Sequence, residues 1–286
     1  DSAGLVEAQP RRLTESPVSQ CSFEGEKTLT VPVSPYTLEA KFSCGITSSN
    51  GITVDPDCAT QQVNCCASPS ATDGSKCQQQ TISQATGVNG SASMDKTSYV
   101  ITVKLEGTPT NTAGKLYFWC KKSQETCVVI VSMPEALPET QCNFNKNVSL
   151  PAISDPNKEA TFQCGGTVKG SPDDTQVFNG PDCAGNASKL SDLVPGAQLT
   201  KGKDGTFTLS VAALPSDAQN LCFKCIYPDP TKPKDTDATC KVTVTVSGTS
   251  KTTTASTTTS AAEGIAVTSF AAVAVAFFSF AGNAYY

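Results

Sequence analysis

The chain is 286 residues long, 38% hydrophobic and 16% charged, with a formal net charge of −5 and 14 cysteines. That length accommodates about two domains at ~100–200 residues each, and such domains have thin cores, so cross-links made in an oxidising compartment are expected to supplement burial. The absence of any histidine removes the usual neutral-pH general base and the commonest metal-ligating side chain, and the acidic balance offers no basic face to nucleic acid.

In chain order, residues 1–20 read as a loose polar arm, with Arg11-Arg12 taken as a solvated pair in preference to a processing site. Because the sequence opens at Asp1 without a methionine, a signal peptide is expected to have been removed. A first domain is expected over 21–132. Within it Leu38, Ala40, Phe42 and Cys44 alternate with their neighbours, as do Tyr99, Ile101, Val103 and Leu105, which is the period of a half-buried strand. Residues 133–141, with Pro134 and Pro138 and no glycine, read as a short stiff linker. A second domain follows over 142–247, where Phe207, Leu209 and Val211 repeat the alternation. Gly, Pro, Asn and Ser clusters separate the segments and no sustained helical stripe appears. The expected fold class is therefore all-β: two tandem disulfide-stapled antiparallel β-sandwich domains. Neither is polarised, since 21–132 holds eight Lys against nine acidic residues and 142–246 holds ten against eleven.

Residues 248–263 are rich in Thr and Ser and read as an extended stalk that cannot bury a core. Over 264–286 there is no charged residue, and Ile265 to Phe280 is nearly all Ala, Val and Phe. Small residues, a polar spacer of ~8–12 residues and an apolar stretch of ~10–20 form the order of a glycosylphosphatidylinositol (GPI) attachment signal. A transmembrane helix is the competing reading, but it would normally carry Lys or Arg on its cytoplasmic side. The attachment candidates are Ser256, then Ser250, Gly248 and Ser247.

Three short matches recur in the same order and define an internal repeat with a period of about 121 residues. Cys21-Ser22-Phe23 matches Cys142-Asn143-Phe144, Phe42-Ser43-Cys44-Gly45 matches Phe162-Gln163-Cys164-Gly165, and Pro56-Asp57-Cys58-Ala59 matches Pro181-Asp182-Cys183-Ala184. Each unit ends on a penultimate cysteine, Cys120 or Cys225, and a last one, Cys127 or Cys240, that leads into a valine-rich run. Six cysteines permit 15 pairings, so spacing alone leaves the connectivity open. Joining first to last, Cys21 to Cys127 and Cys142 to Cys240, would close loops of ~100 residues, each contributing ~4–5 kcal/mol in the chain-entropy model.

The ordered set of F-x-C-G and P-D-C-A segments, closing valine strands and apolar tail resembles the SRS superfamily, the major surface antigens of Toxoplasma and its relatives. The resemblance covers about 21–246 and the tail, and it implies pairing of first with sixth, second with fifth and third with fourth cysteine. Carried over, this gives Cys142–Cys240, Cys164–Cys225 and Cys183–Cys222 in the second domain, with Cys21–Cys127 and Cys44–Cys120 in the first. The first domain departs from the pattern, because Cys58, Cys65, Cys66 and Cys77 stand where two cysteines are needed. An extra bridge is expected, with Cys58–Cys66 and Cys65–Cys77 as one of three arrangements.

Several smaller motifs carry chemistry. Cys222-Phe223-Lys224-Cys225 has redox spacing but no βαβ context, so two separate structural bridges are expected. Trp119, the only tryptophan, is expected to pack on a disulfide. Asn89, Asn147 and Asn186 head N-glycosylation sequons. Asp173-Asp174 reads as a solvated turn in preference to a catalytic dyad or calcium ligand. Lys121 and Lys122 lie in the short connection between Cys120 and Cys127, where two ammonium groups could meet an anionic glycan, although lysines at such an edge usually serve solubility. The resemblance implies a surface antigen and adhesin that contacts host-cell glycans or receptors and host antibodies, with a homodimer through the first domain, a lipid anchor in the membrane, no cofactor and no catalysis. An inert structural or decoy coat protein is the alternative, and an anchored secreted enzyme the third reading.

Overall fold

The structure, a computed structural model, describes residues 18–70 and 76–249, all within one compact unit, Asp1–Thr249. In the first domain the strands are β1 (Ser19–Gln20), β2 (Thr28–Pro32), β3 (Glu39–Ser43), β4 (Thr53–Asp55), β5 (Asn64–Cys66) and β6 (Gln79–Thr81). After the single turn of helix α1 (Ile82–Thr86) come β7 (Gly90–Met94), β8 (Val100–Leu105), β9 (Lys115–Lys122) and β10 (Glu125–Ser132). One sheet runs β1-β3-β8-β7, and the facing sheet runs β2-β10-β9-β5-β6 with β4 also on β9.

The second domain repeats this plan. Its strands are β11 (Gln141–Cys142), β12 (Val148–Ser149), β13 (Glu159–Cys164), β14 (Phe178–Asn179), then the turn α2 (Leu190–Leu193), β15 (Ala197–Lys201), β16 (Thr206–Val211), β17 (Gln219–Pro228) and β18 (Asp237–Val246). The sheets are β11-β13-β16-β15 and β12-β18-β17-β14, in the same order as the core strands of the first domain.

Both sandwiches depart from a purely antiparallel design. β1 pairs β3 and β2 pairs β10 in parallel, as β11 pairs β13 and β12 pairs β18. The entering segment of each domain is shared between the two sheets: its first piece lies along one and its second along the other, so both edges receive a strand running in the direction of its neighbour. The polar arm expected over 1–20 also ends earlier, since Ser19 and Gln20 already pair with Phe42 and Ser43.

Alternation decides what is inside. Leu38, Ala40, Phe42 and Cys44 are buried, as are Ile101, Val103 and Leu105, and Phe207, Leu209 and Val211. Phe42 meets Phe118 across the first sandwich at 5.4 Å between ring centroids, and Phe162 stacks with Phe207 and Phe223 in the second. Each fully buried aromatic or aliphatic side chain contributes about 1.5–3 kcal/mol relative to exposure, so these rings carry much of two otherwise small cores.

The disulfides complete the cores. Cys127 lies directly opposite Cys120, and Cys240 opposite Cys225, while Cys142 lies opposite Cys164. Cys21–Cys127 and Cys44–Cys120 therefore run side by side between the two sheets, as do Cys142–Cys240 and Cys164–Cys225. The third bridge in each domain, Cys66–Cys77 or Cys183–Cys222, involves the outer face of the second sheet.

Side-chain parity explains the outcome among the extra cysteines. Neighbouring residues on a strand point to opposite faces. On β5, Cys65 points into the main core, whereas Cys66 joins Cys77, Trp119 and Val128 in a small cluster of their own. Cys77 is therefore within reach of Cys66, and the expected Cys58–Cys66 and Cys65–Cys77 arrangement is not formed. Cys58 and Cys65 remain as buried thiols, so the expectation of a fourth bridge in this domain is corrected as well. The same parity separates Cys222 from Cys225. Three residues apart on β17, they face opposite sides and bridge to Cys183 and Cys164 respectively.

Candidate functional site

The β9–β10 hairpin that carries the candidate lysines is built around a covered outer face. Trp119 donates its indole N–H to the carbonyl of Ser68 at 3.1 Å and packs with the Cys66–Cys77 bridge. Next to it, Asp55 at the end of β4 accepts from the backbone N–H of Cys77 at 2.7 Å and from the Lys121 ammonium at 3.4 Å. Lys121 also lies 5.5 Å from the centre of the Trp119 ring. With side chains only 20% and 12% exposed, Lys121 and Asp55 form a half-sheltered pair that pins the extra strands to β9.

Lys121 and Lys122 therefore do not act as twins. Lys121 is engaged in the fold, whereas Lys122 is exposed and lies opposite Glu125 in the hairpin register. Glu125 accepts from Lys27 at 3.0 Å, and that bond, the Lys27 charge and then the Lys122 charge hold its carboxyl below the usual range. The edge is a mixed-charge cluster, not a basic patch. Asp55 was not singled out in the sequence. Its signal, a carboxylate preceding Pro56 in the P-D-C-A segment, becomes legible only when β4 is laid against β9.

The two thiols do not form a reactive site. Burial pushes both Cys58 and Cys65 up to about 11, and a thiol that stays protonated is a poor nucleophile. The Gln62 amide donates to the Cys58 sulfur at 3.3 Å, which opposes that shift without cancelling it.

Asn89, Asn147 and Asn186 are all exposed. Asn147 uses its side-chain oxygen to accept from Lys241 N–H at 2.8 Å. The oxygen of Asp173 caps its own turn by accepting from the Thr175 N–H and hydroxyl. No group of three or more His, Cys, Asp or Glu able to hold a metal occurs among the described residues.

At the C-terminal end, Ser247 donates its N–H to Ile153 and Thr249 donates to Pro215, while the backbone of 216–218 closes on Gly248. The second domain's hydrogen bonding thus continues past 247, where the stalk was expected to begin. Of the four attachment candidates, Ser247 and Gly248 are tied into this end of the sandwich, and Ser250 and Ser256 lie outside the described residues. No helix among the described residues is long and apolar enough to cross a membrane.

Where the domains meet, a cleft of about 520 Å³ is lined by Pro35, Leu38, Pro109, Met133, Leu137 and Asn143 among others. A broader groove of about 1210 Å³ runs along the same junction past Tyr36, Lys41 and Gln141.

Fold and disulfide framework define a tandem of two cross-linked β-sandwiches. Residues 138–246, which hold the second sandwich, match the family model of the SRS domain, and the internal repeat and shared topology give the first the same plan. The SRS family is one of surface antigens and has no known enzymes. No curated protein matches the chain. Among solved structures, SporoSAG from Toxoplasma gondii is similar at 21% identity over 81% of this chain and 100% of its own, with a TM-score of 0.42. The Plasmodium falciparum protein Pf12p is similar at 12% identity, covering 80% and 92%, with a TM-score of 0.24. The I9–I11 tandem of titin is similar at 13%, covering 78% and 63%, with a TM-score of 0.31. At these identities a likeness concerns the fold alone.

Proposed function

We propose that this protein is a GPI-anchored parasite surface antigen that acts as an adhesin, making many weak contacts with host-cell glycans or receptors and presenting its outer loops to host antibodies. The observation that carries this reading is the SRS domain at 138–246, set just before a Thr/Ser-rich segment and an apolar, uncharged tail. The anchor is attached beyond Thr249, at Ser250 or Ser256, because attachment at Ser247 or Gly248 would remove Thr249 and with it the hydrogen bond from its N–H to the Pro215 carbonyl.

Near-neutral domains have little long-range attraction for a polyanion, and charges on a surface hairpin are screened beyond ~8 Å at physiological salt. Single contacts are therefore weak. Dense display on a membrane turns later contacts into near-intramolecular events and raises avidity by ~10²–10⁴. Beads coated with the protein should adhere to host cells where the soluble protein does not. Lys122→Ala should weaken that adhesion while leaving the fold intact, whereas Lys121→Ala also loosens β4 and is not a clean probe. Absence of adhesion by wild-type beads would favour the inert-coat reading. Phosphatidylinositol-specific phospholipase C should release the protein from intact cells, and retention with Tyr286 still present would remove the anchor from the proposal.

A further inference from the structure

The second domain begins with Cys142-Asn143-Phe144, the counterpart of Cys21-Ser22-Phe23, but at this position the segment does more than enter a sheet. Phe144 packs against both hydrophobic cores. The Asn143 amide donates to the Pro35 carbonyl at 2.7 Å, although the residue is only 1% exposed. Asn145 reaches Thr108 of the first domain, and the Lys146 ammonium donates to the Leu137 and Pro138 carbonyls of the connecting segment.

The other side of the junction is a Tyr36 ring seated on two glycines. A Cβ at Gly165 would lie 2.9 Å from the ring and 2.8 Å from the Gln141 side chain, and one at Gly166 would lie 3.0 Å from the ring. Both distances are below ordinary contact, so only glycine lets the ring approach. Gly166 also has a φ of +70°, which L side chains disfavour. The Tyr36 hydroxyl donates to Gln141 Oε1 at 3.1 Å, and Gln141 Nε2 in turn donates to Gln163 at 3.3 Å. One ring is thereby held by the entrance strand of the second domain and by the turn that follows its third.

We infer that Tyr36 is a key that locks the two sandwiches into one rigid body, with Gly165 and Gly166 as its socket and Phe144 and Asn143 as its bolt. Domains joined by small polar interfaces normally move relative to one another. Here the linker has two prolines, the contacts come from both sides of it, and a buried amide spans the boundary. Contacts made at the first domain's outer loops are then held at a fixed orientation to the second domain, which limits the ordering entropy lost on each binding event.

The test measures distance distributions between spin labels carried by noncanonical residues at exposed Gln124 and Lys203, one in each sandwich, on the full chain in detergent. The labels leave the cysteines untouched. Wild type should give one narrow distance population. Tyr36→Ala should broaden it, Tyr36→Phe should keep most of the sharpness because the ring remains, and Gly165→Ala should broaden it by displacing the ring. Non-reducing peptide mapping confirms in each variant that the six bridges persist. Tyr36 belongs to a turn and not to either core, so Tyr36→Ala decides the matter if Gly165→Ala fails to fold. A broad wild-type distribution, or a Tyr36→Ala distribution as narrow as wild type, would overturn the inference.

Discussion

Replacing Cys66 and Cys77 together by alanine should destabilise the first domain alone. The bridge closes a short loop, with a sequence separation of 11 residues. In the chain-entropy model that loop is worth roughly 2.8 kcal/mol, against about 4.8 kcal/mol for one as long as that of Cys21–Cys127, so the loss shifts the folding equilibrium by about a hundredfold. For a domain of this size the melting temperature should fall by roughly 10–20 °C. Trp119 makes the assay specific, because it is the only tryptophan and it packs on this bridge. Urea unfolding followed by tryptophan emission therefore reports the first domain, and removal of the disulfide quencher should brighten the folded baseline. An unchanged midpoint with unchanged emission would mean that the bridge neither restrains this loop nor contacts the ring.

Other perturbations bear on the same domain. In a double-mutant cycle, Asp55→Ala and Lys121→Ala should show a coupling of about 1 kcal/mol, near the top of the range for partly exposed pairs, and strict additivity would dissolve the pair. Asp55→Ala alone should cost about 2 kcal/mol, because it also strands the buried Cys77 N–H, and equal effects of the two single variants would contradict that. Cys58 and Cys65 should resist iodoacetamide at pH 8 in the native protein and react after unfolding. Between about pH 9 and 11 the unfolded thiols lose protons that the folded ones keep, so stability should fall as pH rises through that window. A urea midpoint that holds steady from pH 8 to 10 would argue against two thiols buried in the native state.

Much of the fold was legible in the sequence because it rests on local rules. Strand alternation in Leu38 to Cys44 and Phe207 to Val211 follows from the period-two geometry of an extended chain. The repeated C-x-F and F-x-C-G segments mark two equivalent pairs of bridges before any contact is known, whereas the cysteines of the P-D-C-A segments differ in fate, Cys183 bridging Cys222 and Cys58 staying a thiol. The parallel edge pairs were not legible, since pairing direction depends on how the entering segment divides between sheets. Nor was the pairing of Cys66 with Cys77, which turns on the face that each side chain occupies once β5 is aligned with β9.

The same division holds for the site. The sequence alone showed a cysteine-rich chain without histidine, and it marked Lys121 and Lys122 as neighbours. Only the tertiary structure separated them, by bringing Asp55 from 66 residues away to Lys121 and leaving Lys122 beside Glu125. Only the tertiary structure placed Tyr36 on Gly165 and Gly166. A sequence specifies which groups are available and how each strand faces, but the energy of a half-sheltered ion pair or a ring against a glycine depends on distances between segments far apart in the chain, and those exist only after the sheets have closed.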